Sequence, residues 1–345
     1  MASVTVCVPV YNGAPFVADT IASILSQRFT DFVVRISVDA GDDDSEAICR
    51  RFLGDRRVAV VAQPVRLGWV ANVNGLLARV ETPRLCLVPH DDQLHRDYLS
   101  RLSAMLDRDP DAACAYADLG VMGAPLVHVQ SEVRGARTPR LVEVLLHHWA
   151  AVAYRGLVRR RGDGAVPLVP SGLPHDLGAD SAWLAAVARE GALRRVGGRL
   201  YEKRYAPSTV HAGWQRRPLD QRAAAWAAVA ARCLRLALEG EPDARQRALL
   251  ILAARLRARG IGDASDGTGL PAHGAWREAA ARQFVRDTAD LEDIDEQEVL
   301  AWPDAVAHRR ALAADRSPWP SWRRVRRAFR WRWVSLAARV GRAGD

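Results

Sequence analysis

Over its first 120 residues the chain alternates short β-branched, apolar runs with longer stretches whose apolar positions recur every three or four residues. That alternation predicts βαβ units, and hence a Rossmann-like α/β fold with a mixed, mostly parallel sheet flanked by helices. Strands are expected at Val4 to Val10, Phe32 to Val38, Arg57 to Ala62 and Arg84 to Val88. Helices are expected between them, over Pro15 to Gln27 with Ile21, Ile24 and Leu25 on one stripe, over Ser45 to Leu53, and over Trp69 to Arg79. From about 121 to 212 Gly and Pro break the pattern, and Ala151 to Val158 reads as a strand. After Trp214 the sequence turns helical and rich in Ala and Arg, with a loop around Gly260 to Gly274. A boundary near residue 213 thus separates an α/β unit, 1–212, from a C-terminal helical extension, 213–345.

Composition narrows the class. With 345 residues, 49% hydrophobic and 26% charged, the chain has enough apolar material for a large core and is not disordered. Cys7, Cys49, Cys86, Cys114 and Cys233 are scattered and lack the close pairs of a zinc site or redox dithiol, so a reducing cytoplasm is expected. No basic stretch leads into a long apolar run and no segment of about 18 uncharged apolar residues occurs. A signal peptide and a membrane span are therefore not expected.

The net charge of +9 is unevenly placed. Residues 316–345 hold nine Arg against Asp345 alone, and Lys203 is the only lysine, so the rest of the molecule is close to neutral. This argues against a nucleic-acid partner, although an Arg/Trp tail binding nucleic acid is a rival reading. In the tail Trp322, Val325, Phe329, Trp333, Leu336 and Val340 fall at intervals of three and four opposite Arg. Such an amphipathic helix suits an anionic membrane surface, making the protein peripheral at the inner face, or packs on its own domain.

The polar clusters at the ends of the strands are where an open α/β sheet binds ligands. The first strand ends in CVPVYNG, where Pro9 stops the ladder, Tyr11 offers an aromatic face to a planar base, and Asn12 and Gly13 turn into a helix. The second ends in VDAGDDDSEAI; Asp39 is placed to accept from a base N–H or a ribose hydroxyl, and Asp44 or Ser45 caps the next helix. The fourth ends in PHDDQLHRDYL, where Asp91 and Asp92 would repel each other unless a cation such as Mg²⁺ or Mn²⁺, bridging diphosphate oxygens, lay between them.

These clusters, in this order and with RLGWVANVNGLLARV between the last two, resemble the family 2 glycosyltransferases of the GT-A fold. VCVPVYNG is similar to that family's opening motif, VDAGDDDSEAI to its second and PHDDQLHRDYL to its Asp-rich metal motif. LGADSAWLAAVAREGALRRV resembles its base-bearing segment and LYEKRYAPSTVH the segment that folds over the diphosphate. The resemblance covers about residues 3–212. It implies an inverting transfer from a nucleotide-sugar donor to a carbohydrate or lipid-linked acceptor, in cell-surface polysaccharide or glycolipid synthesis. It further implies Asp180 as catalytic base, with Asp176 as the alternative, and Asp91 and Asp92 on a divalent metal. The donor would be held by Pro9, Tyr11, Asn12, Asp39, Arg66, Asn74, His90, Asp91, Lys203 and Arg204. Ala40, Pro89, Ala179 and Ala206 stand where the family carries Asp, Asp, Glu and His, so a degenerate, non-catalytic sugar-nucleotide binder is a second reading. A nucleotidyltransferase is a third, but VYNGAPF is not its phosphate loop.

Overall fold

The structure is a computed structural model that describes residues 2–147, 151–160, 164–205, 210–240, 242–259 and 276–302. The Arg/Trp tail helix expected over 316–345 and the loop expected at Gly260 to Gly274 lie outside the described residues.

The first half alternates β1 (Val4–Val10), α1 (Val17–Leu25), β2 (Phe32–Val38), α2 (Ser45–Arg50), β3 (Val58–Ala62), α3 (Trp69–Leu77), β4 (Arg84–Leu87), β5 (Gln93–Leu94) and α4 (Tyr98–Arg108). There follow β6 (Ala112–Val121), β7 (Val127–His128), α5 (Arg137–His147), β8 (Leu157–Arg159), α6 (Ala179–Glu190) and β9 (Ala192–Lys203). The chain continues through α7 (Val210–Gln215), α8 (Leu219–Leu238), α9 (Ala244–Arg259), α10 (Trp276–Asp287) and α11 (Glu296–Ala301). The strands form one mixed sheet in the order β3-β2-β1-β4-β8-β6-β9-β5, with β7 on β6. Its long ladders are parallel and its antiparallel ones short.

β1 is apolar apart from Thr5, whose buried hydroxyl pairs with that of Thr82, because helices cover both faces of a parallel sheet and leave its centre dry. Pro9 does not end this strand. The ladder to β2 runs on to Val10, while that to β4 stops at Cys7. Cys7 O accepts from Val88 on the β4 side and Val10 O from Asp39 on the β2 side, so the missing N–H of Pro9 points to the β4 side, beyond that ladder's end.

The expected strand Ala151 to Val158 is instead a 3-10 turn, Val152–Arg155, followed by β8. Ala151 is left-handed (φ 48°), and Gly156 is pressed onto β6 so closely that a Cβ there would lie 2.5 Å from Cys114 Sγ and 2.6 Å from the Ala115 carbonyl. Both features bend the chain where an apolar run alone predicts extension. Across the expected boundary at 213, α8 packs against α6 and α9 against α5, and one apolar core continues from Val4 to Val299.

Candidate active site

The loops after β1, β2 and β4 meet at one edge of the sheet. Asn12, itself left-handed (φ 46°), donates from Nδ2 to Asp42 Oδ1 at 2.6 Å and accepts from Asp42 N at 3.2 Å. Ala14 N donates to Asp43 Oδ2 and Gly13 N to Ser45 Oγ, both at 2.8 Å. The acidic run after β2 is thus a latch on the first loop, and Asn12, expected on the donor, is engaged in it. Asp44 stands at the N-cap of α2 but its side chain makes no capping hydrogen bond. Gly13 leaves room for the His90 ring, since a Cβ there would lie 2.4 Å from His90 Cδ2.

Asp39 is 2% exposed and accepts from Leu67 N at 2.7 Å, Gly68 N at 2.9 Å and Ala40 N at 3.1 Å. The carboxylate thereby fixes the loop that carries Arg66, whose guanidinium lies 3.5 Å from the Tyr11 ring centroid. One face of Tyr11 is consequently covered by a cation that can itself stack on a planar base or reach a phosphate. Asn74 does something other than expected. Its Nδ2 donates to Val169 O at 2.9 Å and its Oδ1 accepts from Val169 N at 2.8 Å, so its amide holds the segment leading to α6.

At the tip of β4 the two neighbouring aspartates part company. Asp92 is 1% exposed; Arg155 Nε (3.1 Å) and Tyr201 OH (2.9 Å) donate to its Oδ2, and Arg204 N (3.0 Å) to its Oδ1. The counter-charge the sequence left open is Arg155, and protein donors reach both oxygens of Asp92, which leaves Asp91 the freer carboxylate of the pair. Asp91 is half-buried, and among the described residues no other residue donates to its carboxylate. Burial first and then the Asp92 charge push its carboxyl above the ordinary range, so the position favours an added cation. Among the described residues no three His, Cys, Asp or Glu side chains gather to cage a metal. A single free carboxylate fits an ion such as Mg²⁺ that takes its remaining oxygens from phosphate and water. Thr20 Oγ1 lies 2.7 Å from His90 O and 2.8 Å from Asp92 O, pinning this loop to α1.

From the other side of the sheet, β9 ends in Lys203, whose Nζ lies 4.5 Å from the Tyr205 ring centroid. Arg204 follows, packed 4.6 Å over Phe16 with Nε donating to Asp91 O at 3.3 Å. Asp180 lies in the first turn of α6, whose N-cap is the left-handed Gly178. Burial raises its carboxyl, opposed by the charges of Arg155 and Lys203 and by the Ser181 amide. Asp176 is held apart in a left-handed turn (φ 54°) after His175 (φ 57°), whose carbonyl accepts from Trp214 Nε1 at 3.3 Å. Burial raises Asp176 too, but the charge opposing it is that of His175. Asp180 thus faces the charges of Arg155 and Lys203, whereas Asp176 faces that of His175. His128 is buried beside the same cations and pushed down to about 4, chiefly by burial and then by Lys203 and Arg155. Arg155 and Tyr201 escaped the sequence reading; Tyr201 lay within the quoted LYEKRY, whereas Arg155 follows an apolar run with no motif to mark it.

The arrangement has relatives among known folds. The structure is similar to S. aureus TarS 1-349 (14% identity, TM-score 0.58, covering 83% of this chain and 80% of that one). Of the longer S. aureus TarS chain, with TM-score 0.62, this chain spans 50%. It is also similar to the mannosyltransferase PcManGT from Pyrobaculum calidifontis, described in complex with GDP-Man and Mn²⁺ (16% identity, TM-score 0.54, 91% of this chain and 81% of that one). At these identities the likeness shows the fold, that of the GT-A glycosyltransferases. The sequence of residues 5–161, from β1 through β8, matches the model of Glycosyl transferase family 2. This matched segment carries the latch, the Asp39 loop, the Asp91 tip and Arg155, and over it the chain is similar to that family.

Proposed function

We propose that this protein is an inverting, metal-dependent glycosyltransferase that moves a sugar from a nucleoside-diphosphate donor to an acceptor hydroxyl. The observation that carries the reading is a set of two carboxylates that both feel the charge of Arg155: Asp91, to which no other described residue donates, and Asp180, desolvated but flanked by Arg155 and Lys203. Tyr11 and Arg66 supply the planar surface for the base. Asp180 takes the acceptor proton as the acceptor oxygen attacks the anomeric carbon, which breaks the bond to the diphosphate and inverts the centre. A Mg²⁺ or Mn²⁺ ion held by Asp91 would neutralise charge on the leaving diphosphate when bound. Lys203 and Arg204 meet the same developing charge from β9, and fixing donor and acceptor in line removes much of the entropic barrier. The relatives support a metal and a nucleotide-sugar, since TarS 1-349 is described with UDP-GlcNAc and PcManGT with GDP-Man and Mn²⁺. The acceptor we propose is a carbohydrate or lipid-linked sugar of cell-surface polysaccharide or glycolipid synthesis, met at the inner face of the membrane.

The test compares Asp180→Asn with Asp176→Asn, scoring nucleoside diphosphate released from a panel of UDP-, GDP- and dTDP-sugars with Mn²⁺. Asp180→Asn should lower turnover by about two to four orders of magnitude while nucleotide still raises the melting temperature. An inactive Asp176→Asn beside an active Asp180→Asn would move the base; a wild type that binds donors without releasing nucleotide would be a binding protein.

A further inference from the structure

β1, β2 and β3 end in one register. Val10 lies opposite Val38, and Val38 opposite Ala62, so Tyr11, Asp39 and Gln63 are the next residues in a row across three parallel strands. Hydrogen bonds carry the row past the strand ends, Asp39 N donating to Val10 O and Gln63 N to Val38 O, both at 2.8 Å. Tyr11 and Gln63 thus stand about 10 Å apart, two strand spacings, at the edge where an open α/β sheet takes its ligand. The loop that begins at Gln63 is tied to Asp39 through Leu67 and Gly68 and brings Arg66 onto the Tyr11 ring.

Three bonds fix which way the Gln63 amide points. Asn72, 2% exposed, donates from Nδ2 to Ser37 O at 3.1 Å, which turns its Oδ1 toward the Ser37 hydroxyl. Ser37 Oγ lies 2.5 Å from that Oδ1, an atom that can only accept, so the hydroxyl proton goes to Asn72. The hydroxyl, left with lone pairs alone, accepts from Gln63 Nε2 at 2.8 Å. Gln63 Oε1 accordingly faces away from this network; no described residue donates to it, and it is not a buried orphan. Asp39, in the middle of the row, is 2% exposed and its oxygens accept from three backbone amides. The side-chain acceptor of the row that stays open to a ligand is Gln63.

We propose that Gln63 Oε1 reads the base of the donor by accepting its ring N–H, and that the donor is therefore a uracil or thymine nucleotide. The inference rests on the reading of this edge as a nucleotide-sugar site. A base lying on the Tyr11 and Arg66 surface presents its edge along the row. Uracil and thymine offer a single N–H there, at N3, to the single open acceptor. The N3 of cytosine is a bare acceptor and would meet Oε1 lone pair against lone pair. Guanine sets an amino group beside its N1–H, and Gln63 has one oxygen for those two donors.

The experiment measures binding of UDP, CDP and GDP to the full chain with Mn²⁺ by calorimetry, in the wild type, Gln63→Leu and Ser37→Ala. The wild type should hold UDP about tenfold or more tighter than CDP or GDP, the effect of leaving one hydrogen-bonding group mismatched. Gln63→Leu keeps the bulk and removes the acceptor, so UDP should weaken about tenfold and UDP and CDP should come within about threefold of each other. Ser37→Ala frees the amide to turn and offer Nε2 to cytosine N3, so the gap should narrow through tighter CDP binding. A loss shared equally by UDP and CDP in Ser37→Ala would overturn the orienting role of the network. A wild type that holds UDP and CDP equally, or GDP the tighter, overturns the inference, as does a Gln63→Leu that keeps the wild-type preference. Binding of all three without preference removes Gln63 alone and leaves the nucleotide-sugar reading standing; no response to any of them removes both.

Discussion

At the tip of β4 a carboxylate that receives no side-chain or backbone donor from another described residue stands beside one that receives three. The two aspartates therefore answer differently to the same substitution. Asp91→Asn removes a charge whose neighbours already disfavour it, so the unliganded fold should keep its melting temperature. What should vanish is the extra stabilisation that Mn²⁺ gives on top of UDP or GDP. Asp92→Asn instead strands the Arg155 guanidinium in the interior, and breaking a buried pair in this way costs about 3 kcal/mol or more. Differential scanning of both variants, with and without Mn²⁺ and nucleotide, decides the matter. Loss of the Mn²⁺ response in Asp92→Asn without loss of stability would return Asp92 to the metal.

At the scale of elements, the site is assembled by ties between segments distant in sequence. The amide of Asn74 on α3 grips both backbone groups of Val169, 95 residues away, and the Trp183 indole donates to Pro167 O at 2.6 Å. Together they fasten the irregular stretch before α6 and so set where Asp180 begins. Asn74→Ala deletes two half-buried hydrogen bonds at about 1 kcal/mol each, so urea unfolding should show a loss of about 2 kcal/mol with unchanged affinity for UDP or GDP. A fall in nucleotide affinity at unchanged stability would restore Asn74 to the donor site. Such ties explain what the sequence could and could not tell. β1 and β2 were readable to the residue because each is a short run dominated by β-branched and apolar residues that ends in a polar cluster. β6 and β9 were not, since AACAYADLGV has mostly small residues and ALRRVGGRLYEK alternates poorly around Gly197 and Gly198, and only their pairing makes them strands. Asp91, Asp180 and Asp39 were readable as candidates from their places after strands or before an apolar run. Arg155 was not, because its meaning lies in Asp92, 63 residues earlier, and a lone Arg after AVAY carries no pattern. Asn12 and Asn74 show the converse: both are tied to other parts of the chain here, and an asparagine near a ligand edge looks alike in sequence whether it binds substrate or backbone.

For the molecule as a whole, the question is how a nearly neutral unit 1–212 would meet the lipid-linked acceptor proposed above. No helix among the described residues is long and apolar enough to cross a membrane. The excess charge is concentrated in residues 316–345, where nine Arg accompany Trp322, Trp331 and Trp333. Tryptophan settles at the headgroup boundary, and each Arg near an anionic leaflet contributes about 1 kcal/mol, so a few such contacts suffice for measurable binding that weakens as salt is raised. Deleting 316–345 should release the protein from vesicles rich in phosphatidylserine and leave nucleotide-induced stabilisation intact, because α8 and α9 already pack on α6 and α5 without the tail. Packing of the tail stripe on its own domain makes the opposite forecast, since removing it would expose apolar core and lower the melting temperature. Co-sedimentation with vesicles beside a melting curve separates the two: a wild type that stays in the supernatant, or a truncated chain that melts early, places the stripe against protein and leaves the acceptor to be met in solution.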